Sequence, residues 1–298
     1  MEIYVAYKDY LWMMDFTEKL LEHVAVQVNG SPVSKFGEHE INWKAPYPRI
    51  SMRDAILKYT NFDIDGKSEE ELRAAAQSMD IEVNDSMGKG KLIDEIFGEK
   101  CEPHFIQPTF IIDYPVEMSP LTKKHRDNPA YTERFEIMVC GKEIANAYSE
   151  LNDPIDQRQR FEDQLKLSEK GDDEAMFIDH DFLRALEYGM PPTSGLGIGM
   201  DRLIMFLTNN ASIQEVLFFP QMKPIPLSLS EGAGAIDLSE DAEAVLKLIP
   251  EGEKITLDSL KEQSGLSNKK WDKAIKELTK SQVAKVEKTE EGLFVSLV

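Results

Sequence analysis

Two cysteines in 298 residues, Cys101 and Cys140, are too few and too far apart for a disulfide framework or a cysteine-ligated zinc site. Basic residues are also scarce. The 34 lysines and arginines face 54 aspartates and glutamates, for a net charge of −20. That balance argues against broad adhesion to nucleic acid or membrane and leaves room only for a local basic groove. No apolar run approaches membrane-spanning length, and the N-terminus lacks the basic start and apolar stretch of a signal peptide. Free thiols suit a reducing compartment, so a cytoplasmic protein without membrane contact is expected. The five histidines, His23, His39, His104, His125 and His180, are scattered and read as structural or solvent-facing. The rest, 42% hydrophobic and 30% charged, is ordinary globular composition, long enough for one large domain or two unequal ones.

Residues 1–7 (MEIYVAY) alternate, with Glu2 and Tyr4 on one face and Ile3 and Val5 on the other, the pattern of a strand. A strand starting at residue 1 suggests that Met1 is an internal methionine of a longer parent. Apolar residues from Leu11 to Val28 recur at helical spacing and stop at Asn29-Gly30. Ser51 caps a short helix. Residues 61–100 are polar and helical and read as a small peripheral insertion. Strands follow at 105–114, 135–140 and 141–150, then helices at 157–168 and 182–188. Strands outnumber crossover helices, so an α+β fold with an antiparallel sheet flanked by helices is predicted. Pro220, Pro224 and Pro226 end this first domain (1–227), and small residues at 228–234 form a linker. The remainder (228–298) reads as helix, helix-turn-helix and two-strand hairpin, a winged-helix-like module. Its second helix carries Lys269, Lys270, Lys273, Lys276 and Lys280, interrupted by Asp272 and Glu277. A solvated helix face is the simpler reading of those lysines, nucleic-acid readout the other.

Two segments carry chemistry. Residues 195–202 (GLGIGMDR) place alternating glycines on an extended segment leading into Asp201-Arg202 at the head of an apolar helix. Glycines let a flat ring or phosphate approach the backbone, and a guanidinium can stack on a base or hold a phosphate. Close strand–helix packing is the alternative. Residues 141–153 (GKEIANAYSELND) concentrate polar groups with period two. Asn146, Tyr148, Glu150 and Asn152 share one face, and Glu143 needs a turn or bulge to join them. If Glu143 and Glu150 converge, they would bind Mg²⁺ together with triphosphate oxygens. The alternative is a pair of solvent-facing acids on an edge strand.

Taken in order, MEIYVAYKDY, HFIQPTFIIDYPVEMSPL, GKEIANAYSELNDP, GDDEAMFIDHDFLRALEYGMPPTSGLGIGMDRL and EVLFFPQMKP make the chain recognisable. It resembles the C-terminal part of class II aminoacyl-tRNA synthetases, and among them the lysyl-tRNA synthetases. Residues 195–202 look like the third class II motif and residues 1–7 like the closing strand of the second. The resemblance implies ATP-dependent activation of L-lysine to lysyl-adenylate and transfer to tRNA-Lys, with Mg²⁺. By motif position, Glu143 and Glu150 would hold Mg²⁺ and ATP phosphates, with Ile144 and Asn152 beside them. Arg202 would stack on adenine and reach the γ-phosphate, and Gly199 would line the adenine slot. Arg202 and Glu150 would be the catalytic pair. Glu2, Tyr4, Asn146 and Tyr148 would line the amino-acid pocket, where an ammonium needs carboxylates and neutral acceptors.

The family pattern also contains an anticodon-binding domain, a first motif that builds a homodimer, and a second-motif arginine, none of which is in this sequence. Losing one charge-stabilising donor costs about 10²–10³ in rate. A fragment inactive or barely active alone is therefore expected, with 228–298 a lineage-specific extension. Two other readings are a paralogue that ligates lysine to a protein and a non-enzymatic synthetase-derived binding or regulatory protein. An aspartyl or asparaginyl enzyme would share the fold but fits an acid-rich pocket poorly.

Overall fold

In a computed structural model that describes residues 1–169, 178–220, 238–250, 254–281, 283–289 and 292–297, the alternation of the first residues folds as β1 (Glu2–Ala6). Part of the segment GDDEAMFIDHDFLRALEYGMPPTSGLGIGMDRL, 171–203 (its first residues, 171–177), and the linker at 228–234, with Pro224 and Pro226, lie outside the described residues. The chain divides into two compact units, Met1–Phe219 and Pro220–Val298. Among the described residues no helix is long and apolar enough to cross a membrane.

In the first unit, β1 is followed by α1 (Tyr10–Asn29), the hairpin β2 (Val33–Phe36) and β3 (His39–Asn42), and β4 (Arg49–Ser51). Three helices come next: α2 (Met52–Thr60), α3 (Glu69–Ser78) and α4 (Lys89–Lys100). Then come β5 (Thr109–Ile112), β6 (Arg134–Val139), β7 (Lys142–Ser149), α5 (Pro154–Glu169), α6 (His180–Glu187), β8 (Thr193–Ile198) and α7 (Met200–Thr208). Six strands form one sheet in the order β1-β8-β7-β6-β5-β4. It is antiparallel as expected, except that β4 runs parallel to β5.

Helix α1 exists because its apolar residues recur on one side and its ends are stopped chemically. The Asp9 carboxylate accepts the Trp12 N–H at 3.1 Å, and Gly30 closes the helix at φ 68°, a left-handed conformation open to glycine. Its buried stripe, Tyr10, Met13, Met14, Leu21 and Ala25, packs with α7 and the β2–β3 hairpin on one face of the sheet, against Phe110, Phe135, Ile137 and Leu196. The other face is only partly covered. Residues 61–100, expected to be peripheral, instead bury Leu72, Leu92, Ile96 and Phe97 with Met52 and Ile56 against Ile111 and Met138 of the sheet. Their polarity is one-sided: the charged residues face solvent while a narrow apolar stripe covers the β5–β6 end. The β6–β7–β8–β1 end of that face carries polar side chains instead.

The second unit contains α8 (Glu240–Leu246), β9 (Ile255–Thr256), α9 (Leu257–Ser264), α10 (Asn268–Lys280), β10 (Ala284–Thr289) and β11 (Gly292–Leu297). The expected hairpin is there, but β9 adds a third strand on β11, with Phe294 opposite Thr256. Leu260, Trp271, Leu278 and Val295 form its own core.

Phe206 is completely buried, its ring 4.5 Å from Phe36 and 6.5 Å from Trp43. Phe206→Ala is expected to destabilise the first unit by about 3–5 kcal/mol. Urea unfolding followed by tryptophan fluorescence measures this, and a loss under about 1 kcal/mol would contradict the packing described.

Candidate active site

Strand register sets two polar rows across the open end of the sheet. Tyr4 lies opposite Gly195, Gly195 opposite Tyr148, and Tyr148 opposite Arg134. Two residues along, Glu2, Gly197, Asn146 and Glu136 line up in the same way. These rows sit on one face because side chains alternate along each strand. The residues between them, such as Phe135, Ile137, Ala145, Ala147 and Leu196, enter the core behind.

Glu143 joins that face through a break in register. Ile137 pairs with Ala145 but Met138 pairs with Glu143, so Ile144 is an extra, bulged residue. Both Ile144 and Ala145 then point into the core, and Glu143 is returned to the polar side. There the Arg202 guanidinium donates to the Glu143 carbonyl at 2.7 Å and lies 3.6 Å from its carboxylate. Glu143, Ile144, Gly199 and Arg202 line a pocket of about 170 Å³. Ile144 contributes backbone only, since its side chain is buried and its carbonyl accepts the Gly199 N–H at 2.9 Å.

At the other end of β7, burial pushes the Glu150 carboxyl up to about 7. Among the described residues no cation is paired with it. Its Oε1 reaches over Gly195, where a Cβ would come within 2.1 Å of it and 2.9 Å of the Tyr4 ring. Tyr148, nearby, is pushed up to about 12 by burial, with Glu150 and Tyr4 adding to the effect. The Tyr4 phenol is raised by burial and by the charges of Glu2 and Glu150, and it donates to Glu2 Oε2 at 3.4 Å. A half-buried carboxylate beside phenols is costly to ionise until a cation arrives.

A second acid cluster gathers about Glu102, with Arg202 at its side. Glu102 is raised to about 7 by burial, then by Glu136, Asp94 and Glu143, with Arg202 opposing. Burial lifts Glu136 as well, Arg134 pulls it down, and Glu143 adds to the lift. Arg134 bonds Glu136 at 2.5 Å and Asn146 Oδ1 at 3.2 Å, and lies 4.4 Å over the Tyr114 ring.

The family model described as "tRNA synthetases class II (D, K and N)" matches residues 1–223, about three-quarters of the chain. The chain belongs to this family. The lysine–tRNA ligase of Christiangramia forsetii is 72% identical over 297 residues, which is 100% of this chain and 51% of that protein. That of Porphyromonas gingivalis is 70% identical over 224 residues, 75% of this chain and 39% of that protein. That of Azobacteroides pseudotrichonymphae is 66% identical over 223 residues, 75% of this chain and 45% of that protein. The chain thus spans about half or less of the length of these relatives.

In this class II chain the expected pairing of Glu143 with Glu150 does not form. Seven residues of strand, less one bulge, separate them by roughly 20 Å, more than two glutamate side chains can span. No electrostatic influence of Glu143 is felt at Glu150, whose shift comes from burial alone. Glu143 faces Glu136 instead. Asn152, expected beside ATP, is at the wrong end as well: its amide donates to the Met190 carbonyl at 3.1 Å and its oxygen accepts from Lys123 at 3.3 Å. Glu2, Tyr4, Asn146 and Tyr148 do share one face, as do Gly199 and Arg202 with Glu143. Among the described residues no three potential ligands gather for a metal. Sequence reading missed Arg134, Glu136 and Glu102. The first two alternate with Phe135 and Ile137 in RFEIMV, the same period-two signal used for β7.

Because Glu150 and Glu102 hold protons that the unfolded chain would release, they favour the folded state at low pH. That contribution fades as pH rises from about 4.5 through about 7. Glu150→Gln is expected to reduce the loss of thermal midpoint between pH 5 and pH 8. Gly195→Ala, by displacing Glu150, is expected to move that carboxyl back towards the ordinary glutamate range. Carbon-detected NMR titration reads this, and an unchanged titration would refute the placement of Glu150 over Gly195.

Proposed function

We propose that the first unit is the half of a lysine–tRNA ligase site that binds L-lysine and ATP, for activation of lysine to lysyl-adenylate and transfer to tRNA-Lys. The observation that carries this is the desolvated Glu150 carboxyl, unpaired by any cation of the described residues and flanked by Tyr4 and Tyr148. It suits an ammonium, which restores its ionisation and accepts no hydrogen bonds of its own. An aspartate or asparagine side chain would bring another carboxylate or a neutral amide to the same place, where neither relieves the buried charge. Glu150 therefore belongs with Glu2, Tyr4, Asn146 and Tyr148 in the amino-acid pocket rather than with ATP.

ATP fits the other end. Arg202 offers a planar cation beside Gly197 and Gly199, which carry no side chain to obstruct a flat ring. The acids beside it fit Mg²⁺: their donors are all carboxylate oxygens, and Glu143 is near enough to raise the cost of ionising Glu136. Glu136 and Glu143 would hold the ion, with phosphate oxygens and water completing its shell. Bound there, Mg²⁺ would offset the charge of the triphosphate. In the reaction the lysine carboxylate attacks the α-phosphorus in line and pyrophosphate leaves. The terminal ribose hydroxyl of tRNA then attacks the lysyl carbonyl carbon and gives up its proton, and AMP leaves. This chain's residues orient the reactants and balance charge between two ends of one sheet, with no covalent nucleophile.

Lysine is expected to bind the chain in preference to aspartate and asparagine, measured by titration calorimetry. Its affinity should rise with pH as Glu150 ionises through about 7. Glu150→Gln should weaken lysine on the order of 100-fold and leave Mg²⁺-ATP affinity unchanged, while Arg202→Ala should do the reverse. Equal loss of both ligands in either variant would overturn the division of the site.

A further inference from the structure

We propose that the exposed face of α10 in the second unit is an RNA-binding surface that grips the phosphodiester backbone of tRNA. The choice of RNA rests on the reading of the first unit as part of a tRNA ligase. The surface itself rests on α10. Trp271, Ala274 and Leu278 are buried and fix the rotation of the helix. At 100° per residue, Lys269, Lys273, Lys276 and Lys280 then fall within about 60° of arc on the side opposite them. All four are exposed, and they run along roughly 16 Å of helix.

The acids that flank this stripe leave it unpaired. Glu277 accepts from the Ser239 N–H at 2.8 Å and from its hydroxyl at 2.7 Å, which leaves it at the flank with Lys273 as a neighbour. Asp241 takes the remaining lysine of the helix, Lys270, at 3.2 Å. Asp272 lies outside the arc on the other flank. No ion pair among the described residues engages Lys269, Lys273, Lys276 or Lys280. A four-lysine face without an acid contrasts with the net charge of −20 of the whole chain, and its complement is a polyanion.

The order of elements agrees. Helix α8, strand β9, helix α9, a tight turn at Gly265 (φ 63°), helix α10 and the β10–β11 hairpin follow the winged helix-turn-helix order, with β11 between β9 and β10. In such modules the second helix of the pair is the one presented to nucleic acid. Four lysines at helical spacing read phosphate positions rather than base edges, so the grip is sequence-tolerant and salt-sensitive. Attached to a catalytic unit, it would raise the local concentration of tRNA.

The test is fluorescence anisotropy of the full chain with labelled tRNA across a salt series. A variant combining Lys269→Glu, Lys273→Glu, Lys276→Glu and Lys280→Glu is expected to bind on the order of 100-fold more weakly at low salt. Its log–log salt slope should be shallower by about three. Lys247→Glu with Lys261→Glu, off the stripe, should bind as the original does. Circular dichroism checks that α10 persists, and the corresponding four glutamine substitutions, which keep the helix but remove charge, should show an intermediate loss. Unchanged tRNA affinity in the charge-reversed chain overturns the proposal, as does a salt slope that stays as steep as the original chain's. Calorimetric lysine binding is independent of these substitutions, so its failure would count against the first unit's function and not against this surface.

Discussion

One residue of excess in β7 organises the site. Without the bulge at Ile144, strict alternation would send Glu143 into the core with Ala145 and Ala147. Burying an unpaired carboxylate there would be prohibitive. The bulge instead drives two consecutive residues, Ile144 and Ala145, into the core beneath α1 and α7. Glu143 emerges on the open face within reach of Arg202. The carbonyl of Ile144 is left to bind Gly199, at the head of α7. A local kink in one strand thus joins the polar face of the sheet to the helix that carries its cation.

The sheet keeps its chemistry on one face because the other face is saturated. Helices α1 and α7 with the β2–β3 hairpin cover one side completely, while α2, α3 and α4 cover only the β5–β6 end of the other. What is left uncovered is a strip four strands wide, and polar residues from all four strands line it. Along that strip the acids are spread out. Glu150 with Tyr4 and Tyr148 lies towards one end and Glu143, Glu102 and Arg202 towards the other, with Glu2 and Glu136 in one row between them. Like charges confined in low dielectric raise one another's cost of ionisation. Glu143 and Glu150, roughly 20 Å apart along β7, therefore present two separate demands for positive charge.

The second unit follows different physics. Its small core around Trp271 and Leu278 suffices to orient α10, and orientation alone turns a scatter of lysines in the sequence into a continuous basic stripe. Net charge describes the whole chain; recognition depends on where charge of one sign is concentrated.

Much of this was legible in the residues. Period-two and period-3.6 patterns located β1, α1, β7, β8 and α7 within a residue or two. Ser51 and Gly30 marked helix ends, the one by its capping hydroxyl and the other by its left-handed backbone; the Asp9 cap was not read from the residues. The need for a bulge at Glu143 also followed from alternation alone. These are properties of consecutive residues, and backbone geometry imposes them locally. Which strands lie side by side is not local. That Glu143 of β7 meets Glu136 of β6 rather than Glu150 of its own strand depends on register across the β6–β7 hairpin. That Glu102 and Asp94 join them depends on where α4 packs. The polar stretch 61–100 covers the sheet rather than lying apart from it because only its narrow apolar stripe decides where it goes. The sequence determined the faces of the elements. Tertiary structure decided which faces meet, and a carboxylate's partner is set by distance in space, not by separation along the chain.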